Sequence, residues 1–160
     1  MFKKAFKTVL KFCLALILVF VVGVFIGRNS YSRVVVSGHS MDYTLQDGEH
    51  LWVENFPWGK YKQGSVVVLK ESDKRMVKRI IGMPGDTLVF KGDTLYRNGK
   101  ALEEPYVTDS GYEKGLLKGE VTLAKDEYFV MGDNRDVSND SRYFGAIKKN
   151  ELQGRVVGYE

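Results

Sequence analysis

The chain has 160 residues, room for one domain of ordinary size beside an apolar N-terminal segment. Its net charge of +4 arises in residues 1–30, where Lys3, Lys4, Lys7, Lys11 and Arg28 stand without an acid, so residues 31–160 sum to −1. The basic pI therefore reports a topology signal and not a nucleic-acid-binding face. The single cysteine, Cys13, rules out an internal disulfide and a thiol cluster for zinc, and no cofactor or metal is expected.

Residues 12–27 form an uninterrupted apolar run, and residues 8–11 extend it to twenty. As a helix, twenty residues span about 30 Å, the hydrocarbon thickness of a bilayer, with Lys11 able to snorkel to the headgroups. Lys3, Lys4 and Lys7 precede the run, so the positive-inside rule puts the N-terminus in the cytoplasm. The expected organisation is a basic cytoplasmic tail (1–7), a single transmembrane helix (8–28) and an extracytoplasmic body (29–160). A cleaved secretory signal is the competing reading. Against it stand the length of the run and Phe25-Ile26-Gly27-Arg28 where a small-x-small cleavage site belongs. Both readings put the body beyond the membrane. A buried core helix is disfavoured by a run that is apolar on every face.

The body reads as mostly β, an antiparallel barrel or two packed sheets with few short helices. Strands are expected over 33–37, 51–53, 65–69, 76–81, 87–90, 95–97, 121–123, 128–131 and 155–159, with Lys91-Gly92-Asp93 and Asn98-Gly99 as turns. One helical turn is expected over 41–45 and a short helix over 148–152. Residues 103–120 are polar with three glycines and read as an insertion or flap outside the core. Phe56-Pro57-Trp58-Gly59 is a loop whose tryptophan suits either a bilayer interface or the core.

Three stretches carry candidate chemistry. The first, Ser37-Gly38-His39-Ser40-Met41-Asp42-Tyr43-Thr44-Leu45, places a serine a dozen residues past the apolar run. A serine hydroxyl needs a positioned base. His39 is badly placed, because adjacent side chains of extended backbone point apart. His50 has no orienting acid near it, and the G-x-S-x-G elbow is absent. The second stretch, Lys78-Arg79-Ile80-Ile81-Gly82-Met83-Pro84-Gly85-Asp86, offers a lysine instead. On a strand, Met76, Lys78 and Ile80 share one face, so two apolar neighbours flank the amine. A lysine acts as a base at neutral pH only if burial lowers its pKa by roughly 3 units. The bland alternative is a lysine that snorkels from a strand edge. The third stretch is Gly132-Asp133-Asn134-Arg135-Asp136-Val137-Ser138-Asn139-Asp140-Ser141-Arg142. It fails the EF-hand spacing, and two arginines oppose cation binding. A buried polar network is the other reading. In it Ser138 bonds to the Lys78 amine without imposing a charge, and Asp140 with Arg142, and Asp133 with Arg79, form ion pairs.

In this order, behind one apolar segment, the three stretches resemble the bacterial type I signal peptidases in their compact Gram-positive form. The likeness covers nearly the whole chain. It implies a signal-peptidase-like β-domain on one transmembrane helix, held in the cell membrane. It implies a serine endopeptidase that removes signal peptides from exported preproteins at Ala-x-Ala-like sites. Ser40 would be the nucleophile and Lys78 the general base. The Ser40 amide would bind the oxyanion, and Ser138, Asp140 and Arg142 would support the lysine. The expected partners are preprotein signal peptides and membrane lipid, without nucleic acid or metal. The chain departs from the family pattern twice. Tyr43 replaces the proline of S-M-x-P-T-L, and Gly38 stands where some members carry an oxyanion hydroxyl. The second functional reading follows from Tyr43: a non-catalytic or specialised signal-peptidase-like accessory protein for pilus or surface-protein assembly.

Overall fold

The structure is a computed structural model that describes residues 2–55, 61–92, 94–107 and 119–160. The Phe56-Pro57-Trp58-Gly59 loop, Asp93 and residues 108–118 lie outside the described residues.

The apolar segment is one helix, α1 (Phe2–Asn29). Its stretch Phe6–Phe25 has a mean hydropathy of 2.7 and none of it is buried against the rest of the chain, so it is long and apolar enough to cross a membrane. The chain then enters β1 (Tyr31–Val35) and, after a loop of turns, β2 (His50–Glu54). β3 (Val66–Glu71) and β4 (Lys74–Gly82) form a hairpin. Next come β5 (Thr87–Lys91), β6 (Thr94–Arg97), β7 (Lys100–Ala101), β8 (Glu120–Thr122) and β9 (Glu127–Met131). The chain closes with a helical turn α2 (Ser141–Phe144), β10 (Ile147–Lys148), a 3-10 turn (Lys149–Glu151) and β11 (Leu152–Tyr159).

These strands form two antiparallel sheets. One has seven strands in the order β1-β2-β11-β3-β4-β9-β10, the other four in the order β7-β6-β5-β8. The mostly β expectation with one N-terminal apolar helix holds. The valine run explains the centre of the larger sheet. Successive side chains of β3 alternate faces, and both faces are covered. Val67 and Leu69 join a cluster with Tyr61, Ile80, Tyr128, Val130 and Ile147. Val68 joins the opposite cluster with Val36, Met41, Leu45, Leu51 and Val53. A third cluster, with Ile81, Leu88, Leu95, Leu123, Phe129 and Met131, joins the small sheet to β4 and β9.

Several expectations shift. β1 begins at Tyr31, before the valine run, because Val36 has already left the strand and gives its N–H to Glu49 O. The expected helix over 148–152 is only the 3-10 turn. The turn over 41–45 forms, through Thr44 N and Leu45 N donating to Met41 O. Within the expected insertion Tyr106 packs on the third cluster, as does Leu102 just ahead of it.

One feature of the larger sheet positions the site. Among the described residues β1 pairs only with β2, so one of its edges is open. β4 pairs with β3 over residues 74–79 but with β9 only beyond residue 78. The first half of β4 therefore also has an open edge. A cavity of about 290 Å³ lies between the two, lined by residues 34–37 of the first and 75–78 of the second together with Ser40, Met41 and Val68.

Candidate active site

Ser40 lies in the turn that follows β1. Gly38 opens that turn with φ +96°, a conformation that suits glycine, and its N–H donates to Asp47 Oδ1 at 2.7 Å. Met41 and Leu45 are 1% exposed and pin the far side of the turn into the core. The half-buried Ser40 side chain is left at the cavity wall.

Lys78 reaches it from β4. Its Nζ lies 2.6 Å from Ser40 Oγ and 3.1 Å from Val77 O. The residue is 3% exposed. Among the described residues no carboxylate contacts the amine. Burial pushes it down from the usual 10.5 to about 8; Asp140 and then Asp133 pull it back, while Arg142 acts with burial. At pH 7 roughly a tenth of such an amine is uncharged, against less than about 0.1% at the ordinary value. The alternation of apolar neighbours seen in the sequence is the cause: Met76 and Ile80 sit in one core cluster and Val77 in the opposite one, so the lysine stem runs between packed side chains.

The third stretch packs behind this pair. Asn134 N donates to Ser40 O at 3.2 Å. Gly132 is obligatory on steric grounds: a Cβ there would collide with the Ser40 carbonyl oxygen and with Ser138 Oγ. Asp140 caps α2 by accepting from Arg142 N and also accepts from Gly132 N at 3.0 Å. It binds the Arg142 guanidinium through both oxygens, at 2.9 and 3.0 Å. Both residues are fully buried, so the pair is a fixed internal strut. Ser138 is 3% exposed, and its Oγ has no hydrogen-bond partner among the described residues. The expected bond from Ser138 to the Lys78 amine is therefore not made in this state.

Arg79, next to the lysine, ties the three stretches together. It donates to both oxygens of Asp133, at 2.8 and 2.6 Å, and to Gly64 O at 2.8 Å. Thr44 Oγ1 donates to Asp133 Oδ2 at 2.5 Å and accepts from Arg79 Nη2 at 3.3 Å. The Tyr106 ring lies under the Arg79 guanidinium at 4.1 Å. Burial first, then the neighbouring Glu104 charge, raise the Tyr106 phenol above its usual range. Glu104 itself bonds to the buried Arg135 at 2.5 and 3.2 Å. Thr44, Glu104 and Tyr106 were not singled out in the sequence, because their partners lie far along the chain. The histidines stay apart from the pair: His39 is exposed and contacts Asp42 at 3.1 Å, and His50 is exposed on β2.

Tyr43 departs from expectation in its backbone. It has φ +82°, in the turn closed by Thr44 N donating to Met41 O at 3.1 Å. Proline is locked near −65° and cannot take that conformation. The turn behind Ser40 is thus a different turn from the one a proline at 43 would make. Gly38 offers no second oxyanion donor, since it lacks a hydroxyl and its N–H is engaged by Asp47.

The arrangement thus sets a buried amine of lowered pKa beside a hydroxyl at the wall of an open-edged groove. That chemistry belongs to serine-type peptidases. The comparisons with known proteins give the family. The family model "Signal peptidase, peptidase S26" matches residues 6–159. The chain is 37% identical to signal peptidase I P of Bacillus subtilis subsp. natto over 95% of this chain and 90% of the relative. It is 40% identical to signal peptidase I of Bacillus licheniformis over 88% and 82%. It is 36% identical to signal peptidase IB of Staphylococcus aureus strain COL over 94% and 88%. The crystal structure of a signal peptidase I from Enterococcus faecalis superposes with a TM-score of 0.51 and 31% identity, over 61% of this chain and 97% of that one. The chain belongs to the type I signal peptidases, peptidase family S26, and to their Gram-positive type.

Proposed function

We propose that this chain is a membrane-anchored serine endopeptidase that removes N-terminal signal peptides from exported preproteins at Ala-x-Ala-like sites. The observation that carries the reading is the 2.6 Å separation of Lys78 Nζ from Ser40 Oγ, with no carboxylate on the amine among the described residues. α1 is the anchor, with residues 1–7 in the cytoplasm, the span over 8–28 and residues 29–160 beyond the membrane. The lysines ahead of the span favour that orientation.

In this mechanism neutral Lys78 takes the Ser40 proton, and Ser40 Oγ attacks the scissile carbonyl carbon. The Ser40 N–H, which has no acceptor among the described residues, bonds to the oxyanion. Protonated Lys78 gives its proton to the leaving amine, which departs with the mature protein. Water then hydrolyses the acyl-enzyme, with Lys78 again taking the proton. The substrate lies extended between the open edges of β1 and β4, adding a strand to each. The small volume of the adjoining cavity and its valine walls suit alanine side chains. Asp140 and Arg142 hold the backbone of the third stretch against Ser40. Ser138, buried with an unused hydroxyl, is the group that would bond to the amine during turnover.

The test is cleavage of an Ala-x-Ala preprotein by the full chain in lipid vesicles. Ser40→Ala and Lys78→Met should each abolish processing while the unsubstituted chain cuts at one bond. Near-normal cleavage by either variant would remove the dyad. Tight binding of a preprotein or pilin by an unsubstituted chain that never cuts would favour the accessory reading, which the unusual turn at Tyr43 keeps distinct.

A further inference from the structure

A second cavity, of about 470 Å³, continues the groove along β1 toward α1 and shares Val34, Val68 and Arg75 with the cavity beside Ser40. The two differ in chemistry. Near Ser40 the floor is made by Val36, Val77 and Val68; further out Ser32, Asn55, Gln153 and Arg75 take over. Strand alternation explains the order. Ser32, Val34 and Val36 project from β1 to one side, where Val34 and Val36 meet Val77 in a common cluster. On β4, Arg75 shares a face with Val77. The groove therefore changes from apolar to polar at Arg75.

Most polar groups of the outer cavity are already engaged. Ser32 Oγ donates to Asn55 Oδ1 at 2.6 Å, and Asn55 Nδ2 donates to Asn29 O at 3.0 Å. Arg33 pairs with Glu160 at 3.1 Å and lies over the Trp52 ring at 4.6 Å. Arg75 differs. It stands opposite Lys70 in the β3–β4 ladder, and the nearby Lys70 amine is the one that holds Asp73. Among the described residues no carboxylate or hydrogen-bond acceptor meets the Arg75 guanidinium. It is a cation without a counter-charge at the rim of a polar cavity.

We propose that this outer cavity is a further substrate subsite and that Arg75 makes it select an acidic side chain; the inference rests on the peptidase reading above. Its register follows from strand geometry. An extended substrate lying along β1 advances one residue per β1 residue, about 3.3 Å each, and alternates its side chains. With the residue that donates the scissile carbonyl set opposite Val36, the third residue back lies over Val34. The fifth lies over Ser32 and Arg75, about 13 Å from the first. A carboxylate at the fifth position neutralises the guanidinium, and a lysine there repels it. The fourth residue points away from the groove and carries no such preference.

The experiment compares peptides with alanine at the first and third positions and Glu, Gln or Lys at the fifth, cleaved by the full chain in nonionic detergent micelles at low salt. The expected kcat/KM order is Glu above Gln above Lys, with about tenfold between the extremes and a smaller spread at high salt. Arg75→Gln should remove most of the spread, and Arg75→Glu should reverse the order. Moving the glutamate to the fourth position should lose its advantage. Equal rates for all three peptides, or the original order persisting in Arg75→Glu, would overturn the inference alone. No cleavage of any peptide by the unsubstituted chain would overturn the peptidase reading and this inference with it.

Discussion

Arg79 and Asp133 meet in a two-pronged ion pair, with Nε to Oδ1 at 2.8 Å and Nη2 to Oδ2 at 2.6 Å. Arg79 follows the lysine in β4, and Asp133 follows the glycine that packs against the Ser40 carbonyl. The pair therefore sets the distance between the Lys78 amine and the Ser40 hydroxyl through backbone rather than through those two groups themselves. Asp133 is 1% exposed, so removing one partner strands a buried charge. Arg79→Met should destabilise the full chain by about 3 kcal/mol in denaturant unfolding. Arg79→Met combined with Asp133→Leu should recover part of that loss. A double variant no better than the single one would contradict the pairing.

Gly132 makes a second, steric prediction. A Cβ there meets the Ser40 carbonyl oxygen, which is backbone and cannot swing aside. Gly132→Ala should cost about 1–3 kcal/mol and, by pushing the Ser40 turn outward, cut kcat far more than KM. The check is unfolding and steady-state cleavage of the same preparation.

Lys78 opposes folding at neutral pH. Its folded value of about 8 lies below the usual 10.5, so the unfolded chain holds the proton more tightly. The benefit of the uncharged amine is complete above pH 10.5 and is lost as pH falls to about 8; the gap corresponds to about 3 kcal/mol. Stability should thus rise with pH across that window. Lys78→Met, of similar length and without charge, should be more stable than the parent at pH 7 by up to about 3 kcal/mol. That advantage should shrink toward pH 10.5. Thermal unfolding at the two pH values checks both statements.

Tyr43 tests whether the turn behind Ser40 is native to this chain. A non-glycine residue at φ +82° carries a conformational cost of about 1–2 kcal/mol. Tyr43→Gly should be tolerated, with stability within about 1 kcal/mol of the parent and cleavage retained. Tyr43→Pro should lose about 2 kcal/mol or more and most activity, because the ring forbids the observed φ. A proline variant that cuts faster than the parent would mean that the turn adopts the proline form.

Much of the site was legible in the sequence because its signals are local. Lys78 between Met76 and Ile80 announced a buried amine, since strand alternation alone puts them on one face. Asp140 two residues before Arg142 announced an ion pair within reach of one helical turn. What was hidden depends on distant chain segments. Thr44 and Asp133 are 89 residues apart, and Glu104 and Arg135 are 31 apart; no periodicity connects them. The same reason concealed which strands form the smaller sheet and that Glu104 and Tyr106 reach Arg135 and Arg79. The φ of Tyr43 was also invisible, because nothing local marks a tyrosine for left-handed backbone. The strand starting at Tyr31 was misjudged by two residues because the valine run advertises burial, and Val36 is buried by the core after the strand has ended.

In the proposed mechanism an uncharged Lys78 draws the proton from Ser40. The pH dependence of kcat/KM for an Ala-x-Ala peptide, measured with the full chain in micelles, tests it most directly. An acidic limb of unit slope centred near pH 8 is expected, the value that burial gives the amine. A profile flat from about pH 6.5 to 9.5, or a limb near pH 6.5 where an ordinary histidine titrates, would contradict it.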